Sequence, residues 1–171
     1  MSGKVCTNMR ERLRKHYPVL LIAACMFFTV NAAWAAGYGA KTLAGINNLR
    51  QIDAQYGDMP ASLGPGITVV SADEVKALMA KGAEAIDTRG KSPYEKKRIA
   101  GAKWLFCDAL LKDPALAGGL DKSKPYILYC SGIKCWRSPA VALMLLDLGF
   151  KKLYWYRLGF SDWQAKGYPT Q

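Results

Sequence analysis

Two cysteines and two cations crowd into the run Tyr126-Ile-Leu-Tyr-Cys130-Ser-Gly-Ile-Lys-Cys135-Trp-Arg137-Ser138-Pro139. The chemistry open to such a run is that of a thiolate beside a bound anion. Its first four residues read as a buried strand, which places Cys130 at the strand's carboxyl end. A polar loop of Ser131, Gly132, Ile133 and Lys134 leads on to Cys135, Trp136 and Arg137. Ser138 is a favoured N-cap, and Pro139 suits a first helical position, where no N–H is needed. Val141, Leu145 and Leu148, with Ala142 and Leu146, then recur at helical spacing. A thiol in a loop that feeds a helix N-terminus faces unpaired N–H groups and the positive end of a dipole. That setting lowers a cysteine pKa and favours anions. Lys134 and Arg137 add charge of the same sign.

Each of these residues also has a plainer reading. Cys130 is a nucleophile or one half of a structural disulfide. Cys135 resolves a persulfide or sulfenate on Cys130, closes a reversible disulfide across the loop, or simply packs. The sulfurs can meet if the loop folds back, since a disulfide needs its alpha carbons within about 7 Å. A bridge in so tight a loop would be easily reduced, which suits redox or regulatory use. Arg137 binds the anion or forms an ion pair at the helix start, and Lys134 is a loop charge that supplies a field. Trp136 is unusual in a polar loop, where it shields the thiols or offers a docking surface. Cys107 reads first as a small buried hydrophobe.

The ends of the chain limit the chemistry further. Lys4, Arg10, Arg12, Arg14 and Lys15 against Glu11 make a basic head, and Pro18 to Val30 carries no charge. Ala33-Trp34-Ala35 follows. Basic head, short apolar stretch and A-x-A are the parts of a secretory signal peptide, with cleavage expected after Ala35 or Ala36. The rival readings are a retained membrane anchor, shorter than the roughly 20 residues that a spanning helix needs, and a lipoprotein box at Ile22-Ala-Ala-Cys25. With residues 1–36 removed, the chain loses His16, its only histidine, so His-based catalysis and His-ligated zinc are excluded. No metal and no cofactor is expected. Cys107, Cys130 and Cys135 remain, an odd number in an oxidising compartment, so one thiol is left over if two pair. The formal charge of +11 would fall to +7 with five bases and one acid gone. That excess is spread thinly and no nucleic-acid motif accompanies it. Small anions or an acidic partner fit better than nucleic acid.

The elements that would position the cysteines alternate. Leu43, Ile46, Leu49, Ile52 and Tyr56 predict an amphipathic helix from Thr42 to about Tyr56, followed by a Gly- and Pro-rich loop to Gly66. Strands are predicted at Ile67–Val70, Ala85–Thr88, Lys103–Cys107, Tyr126–Tyr129 and Leu153–Tyr156. Ser71 with Glu74 forms a capping box for a helix that Gly82 stops. Pro93 to Arg98 reads as one helical turn with a wet basic face at Lys96-Lys97-Arg98. A helix or loop runs from Ala109 to Gly119, and a last short helix from Ser161 to Lys166. Trp104, Trp155 and Trp163 read as core. Such alternation implies an α/β fold with a mostly parallel sheet, helices on both faces, and a site at the strands' carboxyl ends. Asp87, Cys107 and Cys130 all fall at such ends.

Three blocks carry a family resemblance over about Ile67 to Pro169. The first is Ile86-Asp87-Thr-Arg89 through Tyr94-Glu95 to Ile99-Ala-Gly101-Ala102. The second is Tyr129-Cys130-Ser-Gly with Arg137-Ser138 and Ala142. The third is Leu153-Tyr-Trp-Tyr156, Gly159-Phe-Ser-Asp-Trp163 and Gly167-Tyr-Pro169. In their order they resemble the rhodanese-like family, with Arg98 where the family usually has histidine. The resemblance implies a five-stranded parallel sheet flanked by helices, with Cys130 taking a sulfane sulfur as a persulfide. The family's sulfurtransferases usually span six residues from cysteine through arginine and its phosphatases seven. Cys130 through Arg137 is eight, which widens the anion cradle. Cys135-Trp136 is similar to an exported subgroup associated with PQQ-dependent alcohol catabolism and named for a CXXCW motif, although here the upstream cysteine lies five positions before Cys135.

These readings assemble into an exported sulfurtransferase, periplasmic or secreted, with residues 1–36 as signal, 37–66 as leading helix and loop, and 67–171 as the rhodanese-like domain. Cys130 would be the nucleophile and Cys135 a resolving cysteine. Ser131, Gly132, Ile133, Lys134, Trp136 and Arg137 would hold the anion, with Asp87, Arg89 and Ser138 in support. Partners would be a small sulfur-containing anion, a thiol acceptor and a protein of an exported redox or dehydrogenase system. A membrane enters only if the N-terminal segment is retained. The rivals are a thiol–disulfide redox protein built on Cys130 and Cys135 and a non-catalytic binding protein that uses the Cys-Trp loop. A phosphatase or arsenate reductase would need a general acid, and the loop supplies none.

Overall fold

The apolar run Tyr126-Ile-Leu-Tyr129 is buried on both faces, as a central parallel strand must be. A computed structural model describes residues 37–171. The expectations of a signal peptide, anchor or lipoprotein box lie outside the described residues. In chain order the elements are α1 (Ala40–Ala54), β1 (Ile67–Val69), α2 (Ala72–Ala80), β2 (Glu84–Asp87), α3 (Lys91–Lys96), β3 (Lys103–Trp104) and α4 (Cys107–Lys112). A 3-10 turn (Pro114–Gly119), β4 (Tyr126–Tyr129), α5 (Arg137–Asp147), β5 (Leu153–Tyr156) and α6 (Gly159–Ala165) follow. The sheet has the order β1-β5-β4-β2-β3 and every pairing is parallel. No helix among the described residues is long and apolar enough to cross a membrane.

The strands' alternation divides the core. Ile127 and Tyr129 face a cluster with Val75, Ile99, Tyr156, Phe160 and Trp163. On the other face, α5 packs against β4 and β5 and is itself covered by α1. A helix enclosed on two sides has little surface left for polar residues, and seven of its residues are buried. The two helices approach closely at Gly45, where a Cβ would lie 3.1 Å from Leu143 Cδ1. The leading segment therefore packs within the same compact unit as the sheet. Tyr38 donates to the Leu110 carbonyl at 2.7 Å, and Asp147 accepts from Gly39 N–H, also at 2.7 Å.

Several expectations need correction. The inner face of α1 is narrower than its spacing suggests, because Ile46 and Leu49 are buried while Leu43 and Tyr56 are exposed. β3 pairs over two residues only, so Cys107 opens α4 instead of closing a strand. Trp104 stands 41% exposed on this edge strand and stacks between Tyr94 and Phe106, whereas Trp155 and Trp163 are core. Arg98 leaves the wet face, as its guanidinium lies 4.5 Å over the Tyr94 ring and its backbone N–H pairs with the Gln171 carbonyl. The capping box at Ser71 and Glu74 is present with both of its bonds.

Under the sheet's carboxyl rim lies a buried polar network. Arg89 Nε and Nη2 donate to the two Asp87 oxygens at 2.9 and 2.6 Å. Tyr129 Oη donates to Asp87 Oδ2 at 2.8 Å and accepts from Ile99 N–H. The guanidinium also lies 4.3 Å over the Phe160 ring. Burial first, and then the Asp87 carboxylate, push the Tyr129 hydroxyl pKa up, so it stays a neutral donor. The network joins β2, β4 and α6 at the level of the loops. Removing one partner of such a buried ion pair strands the other charge. Asp87→Ala is expected to lose about 3–5 kcal/mol in urea unfolding, and a loss below about 1 kcal/mol would contradict this role.

Candidate active site

β4 delivers Cys130 at its carboxyl end, nearly completely buried. A disulfide joins it to Cys135, with alpha carbons 6.2 Å apart. The loop does fold back on itself, as a bridge between the two cysteines requires. A turn closed by Cys135 N–H on the Gly132 carbonyl, 3.0 Å, brings the two residues together. The two sulfurs are placed unequally. Cys130 is buried, whereas Cys135 is half-buried and lines an open cleft of about 580 Å³.

The loop is anchored through its carbonyls. The Cys130 carbonyl accepts from Phe160 N–H at 2.8 Å, and the Ser131 carbonyl from both Ser161 N–H and Ser161 Oγ. The Ile133 carbonyl accepts from Met59 N–H at 2.9 Å. In a trans peptide the N–H points opposite to the preceding carbonyl. The N–H groups of Ser131, Gly132 and Lys134 therefore point away from these anchors, and none of them donates a hydrogen bond among the described residues. The approach of α6 depends on Gly159, whose φ is +65°; a Cβ there would meet the Cys130 carbonyl oxygen at 2.5 Å.

Ser131, Gly132, Ile133, Lys134, Cys135 and Arg137 all line the cleft. Arg137 is also committed elsewhere, since its Nε donates to Asp108 Oδ2 at 3.0 Å. Trp136 is not with them. It is turned inward and buried, with the Arg50 guanidinium 4.6 Å over its ring, so the α1 side chain covers the face an anion would need. Ser138 does not cap α5. The helix starts at Arg137, two residues before the expected Pro139, and Ser138 Oγ instead accepts from Trp155 Nε1 at 3.0 Å. Pro139 accordingly sits in the first turn, not at its first position. Arg89 reaches a second, smaller cleft of about 440 Å³ with Pro93, Lys96, Lys97 and Phe160, and Ser131 and Ser161 border both clefts.

Sequence spacing did not bring out Asp53, Leu158 or Asp162, which complete the first cleft. Leu158 and Asp162 follow β5, and residues beyond the carboxyl end of a parallel strand belong to the same rim as Cys130. Asp53 comes from α1 and had no such signal. The loop itself holds no acid, but the cleft holds two carboxylates. Cys107 is fully buried away from solvent, and burial and the nearby Asp108 push its thiol up to about 12, with Arg137 and Arg50 opposing. Among the described residues, no three His, Cys, Asp or Glu side chains form a group that could hold a metal.

The rhodanese-like domain family model matches residues 71–166. Among curated proteins, the thiosulfate sulfurtransferase GlpE of Coxiella burnetii is 36% identical over 85 residues, which make up 49% of this chain and 73% of that one. Among solved structures, the BH2092 protein of Bacillus halodurans superposes with a TM-score of 0.55 at 20% identity, over 61% of this chain and 76% of the other. That likeness is one of fold. The solution structure of the rhodanese-like domain of the Anabaena Alr3790 protein gives a TM-score of 0.50 at 27% identity, over 63% and 80% of the two chains.

Two outcomes follow from this geometry. Gly159→Ala must abandon either its backbone conformation or its contact with Cys130, and is expected to cost about 2–4 kcal/mol in urea unfolding; a midpoint within error of the parent would contradict the contact. Cys107 has a raised folded pKa, so its contribution is complete below its ordinary value near 9 and is lost as pH rises toward 12. Buried tyrosines begin to contribute a loss of their own over the same interval, so the Cys107 share is read by difference: between pH 9 and 10 the parent should lose about 1 kcal/mol more stability than Cys107→Ala. Equal losses in urea unfolding of the two proteins would contradict it.

Proposed function

The chain belongs to the rhodanese-like domain family, and from that premise we propose that it transfers sulfane sulfur through a persulfide on Cys130. The position of Cys130 carries this reading: it directly follows the central strand, in a loop whose Ser131, Gly132 and Lys134 N–H groups have no partner among the described residues. The family match and the likeness to a thiosulfate sulfurtransferase support sulfurtransferase chemistry at family level.

The disulfide sets the order of events. The oxidised pair has no nucleophile, so an external thiol must first reduce it. The Cys130 thiolate then attacks the outer sulfur of a donor such as thiosulfate. The donor's S–S bond breaks, sulfite leaves with the electron pair, and Cys130 retains the sulfur as a persulfide anion. A thiophilic acceptor attacks that outer sulfur and regenerates the thiolate. The loop N–H groups, with Lys134 and the edge of Arg137, supply stabilisation for the sulfite oxygens and then for the terminal sulfur. The arrangement of residues 1–36, basic head then apolar run then A-x-A, supports export to the periplasm, where thiols meet oxidants.

The disulfide favours a second reading, a thiol–disulfide redox protein whose working pair is Cys130 and Cys135. Docking through the Cys-Trp loop has less support, because Trp136 is buried. Intact mass separates the first two. Protein reduced and freed of reductant should gain one sulfur atom from thiosulfate, and Cys130→Ala should gain none. Unreduced protein should also gain none. A reduced protein that takes no sulfur, yet loses two hydrogens reversibly, would overturn sulfur transfer in favour of redox exchange.

A further inference from the structure

Asp53 lies outside the stretch matched by the family, yet it lines the cleft that holds Cys135. Asp53 is held near the end of a regular helix, half-buried. Met59 is fixed twice, as its N–H donates to the Ile133 carbonyl and its own carbonyl accepts from Arg157 Nε at 3.1 Å. The Pro60 carbonyl accepts from the same nitrogen at 2.9 Å. The segment that follows Asp53 is therefore fastened both to the loop and to Arg157.

The charges in the cleft are committed to different degrees. Asp162 accepts from Tyr156 Oη at 2.7 Å, and Arg137 is paired with Asp108. Asp53 and Lys134 have no side-chain hydrogen bond or ion pair among the described residues. One uncommitted anion and one uncommitted cation thus share a cleft with the more accessible sulfur of the disulfide. A ligand matched to all three carries an ammonium, a carboxylate and a thiol.

We propose that this cleft receives a small zwitterionic aminothiol, its ammonium paired with Asp53 and its carboxylate with Lys134, which opens the disulfide at Cys135. The proposal rests on the reading that the pair must be reduced before sulfur is transferred. The ligand thiolate attacks Cys135 Sγ, the protein S–S bond breaks, and its electron pair goes to Cys130 Sγ. A second thiolate attacks the ligand sulfur of the mixed disulfide and releases the Cys135 thiolate. Two thiols are oxidised to one disulfide, the protein gains two electrons, and the protons come from ionisation of the thiols. Attack at Cys135 leaves the emerging thiolate at Cys130, where the nucleophile is needed. Asp53 and Lys134 act as specificity-determining residues in this step.

The test uses the full chain in its oxidised form, without a sulfur donor. Rates of disulfide opening are measured by quenched alkylation and mass analysis with cysteine, cysteamine, mercaptopropionate and mercaptoethanol, each corrected for its thiolate fraction. Ratios between thiols are compared across variants, so intrinsic nucleophilicity cancels. Asp53→Asn should lower the cysteine-to-mercaptoethanol and cysteamine-to-mercaptoethanol ratios about three- to fivefold, the size of a partly exposed ion pair. Asp53→Glu should restore them. Lys134→Gln should lower the ratios for cysteine and mercaptopropionate but not for cysteamine. Unchanged ratios in both variants, or equal loss with all four thiols, would overturn the proposal. A protein that keeps this selectivity but takes no sulfur from thiosulfate would instead sink the sulfur-transfer reading alone.

Discussion

The loop after β4 is held by its carbonyls, and the proposed chemistry depends on that. Phe160, Ser161 and Met59 each donate a backbone N–H to it, and Cys135 donates one within it. Peptide planarity then orients the opposite edge, leaving N–H groups unspent beside Cys130. Free loops do not stay in such an arrangement, because unpaired N–H groups turn toward water or toward the nearest carbonyl. The two external anchors come from opposite ends of the chain. One is α6, brought close by the absence of a side chain at Gly159. The other is the segment following α1, itself fastened by Arg157.

This division explains why the leading segment is integral to the site. Its helix covers α5, its Arg50 covers Trp136, and its Met59 fixes the loop that the extra residues between Cys130 and Arg137 make longer. A longer loop has more conformational freedom to lose. An internal disulfide and an outside clamp are two ways to remove it, and both are present. In the proposed chemistry the disulfide also withholds the nucleophile. Under our account the same bond fixes the loop and requires a thiol before any sulfur can move.

Much of the framework could be read from the chain. The run Tyr126–Tyr129, the box at Ser71 and Glu74, and the alternation of strands with helices each draw on local physics that tertiary packing did not override. Two of the failures share a cause, which is that a neighbour distant in sequence supplied the missing partner. Ser138 had the right chemistry for a cap but met the Trp155 indole instead. Trp136 read as a shield for the thiols or a docking surface, because Arg50, 86 positions away by residue number, was invisible to local reading. Trp104 looked buried, but it sits on a two-residue strand at the sheet's edge and its ring is left 41% exposed between Tyr94 and Phe106. For the cleft, the cysteines and the loop cations were legible, while Asp53 required the packing of α1 to be known.

The central claim is that the loop, once its disulfide is opened, keeps one sulfur ionised beside groups that favour negative charge. Iodoacetamide alkylation of Cys130 in the reduced protein, followed residue by residue against pH, tests it most directly. Reaction should persist well below about pH 8.5, where an ordinary cysteine is mostly protonated, and thiosulfate should protect Cys130 from the reagent. A rate that rises only near that ordinary value, with no protection by thiosulfate, would contradict the account.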